Sequence, residues 1–298
     1  MKRIVCAGLL LLAATAFVSA QVKLTFNPDK GKKYEYRTEI VQTIKQAVMG
    51  QEIPMETEMS MNYLMDIKEK TSQETKAEFA YKDIAYIISS PMMKMGYDSR
   101  TPVENPTEMD KMLGGMLGSM IGKPFEVVIA PDGSVKSVTG MDAIVEGMAG
   151  SASGGQMAAQ VGAAMKQQFN DAAIKSTFEQ SMKIYPVNAV KVGDSWNVEQ
   201  NISISGMNSA TKAKYTLKEV KKNIAVVALE ATIDMKPAAG MEGSLTGTMT
   251  GNMQIDTKTG LPTTSDISQI IKGSIKAQGM DVTMDIDSKI KNSISEVK

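Results

Sequence analysis

Histidine is absent from the 298-residue chain, and there is only one cysteine. Those two shortages remove catalysis built on Ser-His-Asp or Cys-His pairs, and with it imidazole-bound zinc or haem. An excess of either charge is missing too, since 33 Lys+Arg face 33 Asp+Glu. Without a basic stretch the chain lacks the electrostatic footprint of a nucleic-acid binder. No apolar run reaches the 18 or so residues of a transmembrane helix. Aromatics are scarce at 5%, whereas methionine is present at 25 copies. With 43% hydrophobic and 22% charged residues, the composition is that of a folded globular protein.

The first twenty residues read as an export signal. Lys2 and Arg3 precede an apolar run from Ile4 to Val18, and Val18-Ser19-Ala20 supplies the small residues read by signal peptidase. Cleavage is expected after Ala20, giving a periplasmic or secreted protein that begins at Gln21. The apolar run is too short for a membrane anchor. Cys6 sits early in that run, with no plausible mature N-terminus after it, so it does not read as a lipid-attachment site. Removing Lys2 and Arg3 from the 33 basic residues leaves 31 against 33 acids, a net charge of −2, and no cysteine. Without disulfides such a protein depends on core burial, for which about 280 residues are ample.

Period-two alternation, the mark of strands with one buried face, dominates both ends of the remaining chain. From Ile53 to Ile67 every odd position but Thr57 is apolar or aromatic, and Tyr34, Tyr36, Ile40 and Ile44 alternate in the segment before it. Residues 33–67 therefore predict a long hairpin turning at Met49-Gly50-Gln51. A third strand begins at Ala77, with a phase shift at Ile84–Tyr86 that suggests a bulge. Strands are expected over 195–205, 210–219 and 223–234. Met241 to Ile255 alternates through Gly243, Gly247 and Gly251, and turns at Asp256–Gly260. Ile267, Ile271 and Ile275 share one face, and Met280, Val282, Met284, Ile286 and Ile290 share another.

The middle has helical spacing. Asn105 reads as an N-cap, with Pro106 at the first position and Glu108 completing the start. Met109, Met112, Met116 and Met120 form one stripe, and Gly114, Gly118 and Gly122 recur every four residues. A hairpin follows, Phe125–Ile129 turning at Pro131-Asp132-Gly133 into Val135–Val138. A short helix spans 141–149, ahead of a Gly150–Gly155 linker. Met157, Val161, Met165, Phe169 and Ala173 then continue to Phe178 and Met182, as one helix or as two broken near Asn170-Asp171.

Alternation over fifteen residues implies strands about 50 Å long, which coil rather than lie flat. The expected fold is α+β, mainly β. It is a strongly curved antiparallel sheet, or half-barrel, of long strands with helices from the middle of the chain covering the concave face. Residues 21–298 are read as a single domain, made of a first strand block (22–100), a helical middle (101–185) and a second strand block (186–298). The inward glycines permit sharp bending or close approach of a neighbour. Gly31–Tyr34 and Gly193–Trp196, each a glycine, two polar residues and an aromatic, suggest equivalent strand starts in an internal duplication.

Four segments carry a family resemblance: Phe26–Tyr36, Pro131–Val135, Val190–Trp196 and Asp256–Gly260. Together they resemble an uncharacterised family of exported proteins of about 300 residues from Bacteroidota-like bacteria. At fold level the layout looks like the LolA/LppX-type half-barrels. That resemblance implies transport of lipids or lipoproteins through the periplasm, without matching ligand residues.

Several local motifs have plainer explanations. Gly193-Asp194-Ser195 resembles the nucleophile block of GDSL-type esterases, but no histidine base exists, so it reads as a turn before a strand with Trp196 in the core. Asp281, Asp285 and Asp287 alternate along one strand without the glycine of a calcium loop, and read as a solvated face. Carboxylate-only hydrolysis stays open, although no pair of acids is singled out. Met92-Met93-x-Met95 offers thioethers that would suit Cu(I). Most methionines sit at core spacing, and an adaptable side chain also suits a wall that receives varied apolar partners.

The expected function is therefore non-enzymatic. It is the binding or carriage of an apolar, lipid-like molecule in the cell envelope, lined by Met59, Met61, Met249 and Met253 on strands. Met109, Met112, Met116 and Met120 would line it from a glycine-weakened lid helix. A solid-cored structural module with an envelope protein as partner is the alternative, and copper binding is a lesser one. No cofactor, resident metal or nucleic acid is implied.

Overall fold

The computed structural model of the protein describes residues 21–48, 51–151, 170–204, 207–237, 242–277 and 280–298. The expected export signal, the linker glycines Gly154 and Gly155, and the stripe Met157, Val161, Met165 and Phe169 lie outside these residues. The alternating segments form strands: β1 (Lys33–Val48), β2 (Gln51–Lys70), β3 (Thr75–Ser89) and the short β4 (Lys94–Asp98). After helix α1 (Glu108–Gly118) come β5 (Pro124–Ile129) and β6 (Val135–Thr139), then helices α2 (Met141–Ser151) and α3 (Asp171–Met182). A second run of long strands follows, β7 (Ser195–Ile204), β8 (Met207–Lys221) and β9 (Ile224–Pro237). It is completed by β10 (Glu242–Asp256), β11 (Pro262–Ala277) and β12 (Met280–Glu296).

All twelve strands join one antiparallel sheet in the order β6-β5-β3-β2-β1-β12-β11-β10-β9-β8-β7, with β4 paired to β3. The two strand blocks meet where β1 pairs β12, with Ile40 opposite Ile290 and Ile44 opposite Ile286. Ile290 in turn faces Ile267, and Ile286 faces Ile271, so the two isoleucine sets from the C-terminal hairpin share one face of the sheet.

Eleven strands about 4.8 Å apart would hold edges β6 and β7 roughly 48 Å from each other in a flat sheet. They are brought together instead, because α3 packs on both. The Met182 carbonyl at its end lies against Gly133 in the β5–β6 turn. On its other side Gln200 Nε2 of β7 donates to the carbonyls of Glu179 (3.3 Å) and Gln180 (3.2 Å). The sheet thus curls round without the two edges pairing, and remains open rather than a closed barrel. The segment ahead of β1 spans the same end. Val22 bridges Val190, Phe26 N–H donates to the Pro131 carbonyl (2.8 Å) and Asn27 N–H donates to the Thr259 carbonyl (2.7 Å). Leu24 and Phe26 between these ties are completely buried.

The end carrying the β2–β3, β5–β6, β8–β9 and β10–β11 turns, here called basal, is solidly filled. Phe79 of β3 stacks on Phe125 of β5, and Phe178 of α3 meets both edge-on at 5.0 and 5.7 Å. Met141, Ile144 and Met148 of α2 are buried in the same cluster.

Among the described residues a helix laid across the concave face is not shown, and α1 packs on β4 and α2 at one side of the sheet. One expectation at α1 is corrected: its N-cap is Thr107 and not Asn105. The Thr107 hydroxyl accepts from Asp110 N–H while the Asp110 carboxylate accepts from Thr107 N–H, and Asn105, ahead of Pro106, takes φ +53°. The bulge that the phase shift between Tyr81 and Ile84 suggests is present in β3, at Lys82, which the register skips between Asn62↔Asp83 and Tyr63↔Tyr81. The helix break near Asn170 is seen, its Oδ1 accepting from Ala173 N–H to cap α3.

Replacing Phe79, which is fully buried, by alanine should cost about 3–5 kcal/mol of unfolding free energy. Ile270→Ala, at a position 44% exposed, should stay within about 0.5 kcal/mol. Urea denaturation of the two variants checks the contrast.

Candidate ligand-binding face

Apart from Lys70 and Glu296 at the basal ends of β2 and β12, the inner face of the sheet carries no charged residue on β1, β2 or β9 to β12. Register arranges these uncharged residues in rows that cross the strands. One row runs Met55, Ile44, Ile286, Ile271, Gly247, Ile233, and another Met59, Ile40, Ile290, Ile267, Gly251, Leu229. Between them lies Thr57, Gln42, Ser288, Gln269, where Gln42 Nε2 donates to Ser288 Oγ at 3.0 Å. A further polar row links the Thr38 hydroxyl to Asn292 Oδ1 (2.8 Å), and Asn292 Nδ2 to Ser265 Oγ (2.8 Å). Hydrogen-bonding groups are therefore interleaved with apolar rows on an uncharged surface.

The glycines of β10 shape this face. A Cβ at Gly247 or Gly251 would press into the β11 carbonyls of Ile270 or Asp266, and would crowd the Ile271 or Ile267 side chain at 2.9–3.0 Å. Only glycine permits that approach, so β11 side chains lean over β10.

The distal end differs in filling from the basal end. There a second cluster of Ile233, Leu245 and Ile271 is flanked by half-buried Met207, Met235, Met249, Ile275, Met284 and Ile286, all of them strand residues. Nearer the base, burial pushes the hydroxyls of Tyr36, Tyr63 and Tyr81 up, that of Tyr81 to about 12, so they remain neutral donors.

The eight methionines singled out from sequence are not gathered in one place. Met59 and Met61 on β2 share the inner face with Met249 and Met253 on β10, but β1, β12 and β11 separate the two pairs. Met253 is buried in the main core, and Met249 touches both clusters. On α1, Met109 is exposed and Met112 half-buried; Met116 and, just past the helix, Met120 are buried. Met92 and Met93 stand out in the β3–β4 turn, with Met95 following in β4.

Gly114 and Gly118 lie against the Tyr97 ring of β4, where an added Cβ would come within 3.0 Å, so these glycines serve close packing. Asp110 clamps the same junction by accepting from Gly96 N–H at 2.8 Å. Residues missed from sequence are Gln42, Ser288 and Gln269. Their signal was the recurrence of isoleucine every fourth position, not every second, in β1 and β11.

On the outer face, Arg37, Glu39, Asn252, Gln254, Asp266 and Lys291 help line a polar cleft of about 610 Å³. Among the described residues no group of three or more Asp, Glu, His or Cys could hold a metal ion. No helix among them is long and apolar enough to cross a membrane.

Comparison with known proteins gives a family without an activity. The model of a family of unknown function, DUF6263, matches residues 72–262. No curated protein matches the chain. A solved structure concerned with lipid–protein interactions in lipovitellin aligns with 91% of this chain at 11% identity and a TM-score of 0.50, a likeness of fold. The chain spans only 25% of that protein's length. OccK7 of Pseudomonas aeruginosa aligns at 7% identity over 90% of this chain and 99% of its own, and the outer membrane protein OprG of the same organism at 6% over 90% and 98%. Their TM-scores of 0.22 and 0.18 carry no argument.

The Asp110 clamp has a pH signature. Hydrogen bonds from Thr107 and Gly96 hold its carboxyl below the ordinary 3.8. A lowered native pKa contributes stability that is complete above the ordinary value and is lost as pH falls through the lowered one. Asp110→Asn should therefore melt below the wild type at pH 7, with the two converging as pH drops under 3.8, as thermal melts across pH will show.

Proposed function

The chain belongs to this family of unknown function, and we propose that it is a non-catalytic, exported protein that binds an apolar or lipid-like molecule on the distal half of its inner face. One observation carries the reading: a methionine-rich apolar surface of strand residues lies on the uncharged distal half of the inner face, beyond the described helices packed at the base. An acyl chain laid on that surface gains about 0.8 kcal/mol per buried methylene. Unbranched, polarisable methionine side chains adjust to chains of differing length and bend. The Thr57, Gln42, Ser288, Gln269 row offers hydroxyl and amide groups to a polar head, without the cost of burying a charge. The lipid–protein interactions named for lipovitellin, a quarter of which this chain resembles in fold, favour the same ligand class. Export rests on the signal pattern of residues 1–20.

A structural role in the envelope is the second reading, favoured by the dense aromatic packing around Phe79 at the base.

Native mass spectrometry and lipid extraction of the purified protein test the proposal, together with titration of a fluorescent fatty acid. Met284→Glu, which places a charge on the inner face, should weaken fatty-acid binding about tenfold or more. Ile270→Glu, on the outer face of the neighbouring strand, should leave it unchanged. A ligand-free spectrum with no fatty-acid uptake would sink the carrier reading.

A further inference from the structure

The polar rows that cross the inner face are not alike. The row nearer the base is closed on itself, because Asn292 accepts from the Thr38 hydroxyl and donates to Ser265 Oγ, both at 2.8 Å. Four residues further along β1 the next row is left open. Gln42 Nε2 donates to Ser288 Oγ at 3.0 Å, but among the described residues Gln42 Oε1 accepts no hydrogen bond. Neither the oxygen nor the nitrogen of the Gln269 carboxamide has a partner among them. Ser288, only 1% exposed, is the cross-strand neighbour of both glutamines, so two half-buried carboxamides flank one buried hydroxyl.

Nothing nearby satisfies these spare groups. Backbone N–H and C=O groups of β1, β12 and β11 are taken up by strand pairing on both sides. Charge is remote as well as paired. Lys70 and Glu296, at the basal ends of their strands, are held by Asp29 and Lys32. Eight residues of extended strand, about 26 Å, separate Glu296 from Ser288. Isoleucines bracket the open row about 7 Å away along the strands, Ile40, Ile290 and Ile267 on one side and Ile44, Ile286 and Ile271 on the other.

We infer that the molecule bound on this face carries an uncharged head group that both donates and accepts hydrogen bonds, as a monoacylglycerol does, seated on the carboxamides of Gln42 and Gln269. The inference rests on the ligand reading above and narrows it to one class of lipid. A carboxamide is donor and acceptor at once, so a hydroxyl-bearing ester head satisfies it and is satisfied in return. An ionised carboxylate or phosphate uses only the donor half. It would also leave water for an apolar frame that holds no cation to meet it. A fatty acid therefore enters in its protonated form.

Displacement of Nile red, an uncharged dye, by lipids that share one acyl chain and differ in head is the test. At about pH 8 monoolein should bind about tenfold or more tighter than oleic acid, which is then ionised. At about pH 5 oleic acid should gain, because falling pH restores its neutral form, while monoolein should hold constant. Gln269→Leu should weaken monoolein about fivefold or more and leave the dye unchanged. Gln269→Lys, which supplies the missing cation, should turn the preference towards oleate at about pH 8. Ser268→Lys, on the outer face of the same strand, should not. Equal affinity for monoolein and oleate at that pH overturns the inference and leaves the ligand reading standing, since the head then sits in solvent. A Gln269→Leu variant that binds monoolein as the wild type does also overturns it. A protein that binds neither the dye nor any of the lipids overturns both.

Discussion

Everything in this fold depends on bringing together two sheet edges that would lie about 48 Å apart if the sheet were flat. Backbone twist supplies part of the curl, and the missing side chains of Gly247 and Gly251 let β11 lean over β10. The closure itself is made by α3 and by the segment from Val22 to Asn27, which contact the β5–β6 turn on one side and elements near β7 and β10 on the other. Because these ties are made at the base, closure and core are the same feature there. Phe178 reaches the core only because α3 bridges the edges, and it packs on Phe79 and Phe125.

A coil fastened at one end need not be filled at the other. Burial along the strands follows from that asymmetry. On β2, Met65 and Ile67 near the base are buried, whereas Met55 and Met59 towards the far end are only half-buried on the same face. The sheet hydrogen bonds continue at full length through both halves, so the distal half keeps its backbone partners through strand pairing alone. What it gives up is the apolar contact that a tightly filled core would supply, and that unused surface is what a ligand could exploit.

Strands and turns were legible in the sequence because one-sided burial imposes a local period. The hairpin of β1 and β2, the β5–β6 hairpin and the β10–β11 turn could all be read from alternation and turn residues. The pairing of β1 with β12 could not, since it joins residues 234 to 262 positions apart and has no local period. Asn105 was misread because two adjacent residues were plausible caps, and only the reciprocal bonds between Thr107 and Asp110 decide between them. The helix stripe Met109 to Met120 was legible as a stripe, but its partner was not. A glycine-spaced helix can act as a loose cover or as a close-packed one, and Tyr97, distant from nothing but invisible as a partner in the sequence, makes it close-packed. The interleaved polar rows were missed for a similar reason: glutamine, serine and threonine between isoleucines look like surface positions until the register puts them side by side.

Methionine is the residue type that fits both halves of this molecule. In the basal core Met65, Met141 and Met148 fill space in the same cluster as Phe79 and Phe125, where an unbranched chain adapts to irregular gaps. On the distal face the same adaptability has a different consequence. Isoleucine and phenylalanine keep their shape, so a surface made of them alone would be complementary to few ligands. Met207, Met235, Met249 and Met284 can rearrange through three rotatable bonds each, at modest energetic difference between rotamers. In the proposed role, a face that combines a rigid isoleucine floor with movable thioether walls and uncharged hydrogen-bonding rows would select for apolar character and a polar head more strongly than for an exact outline, and would suit a class of lipids better than one molecule.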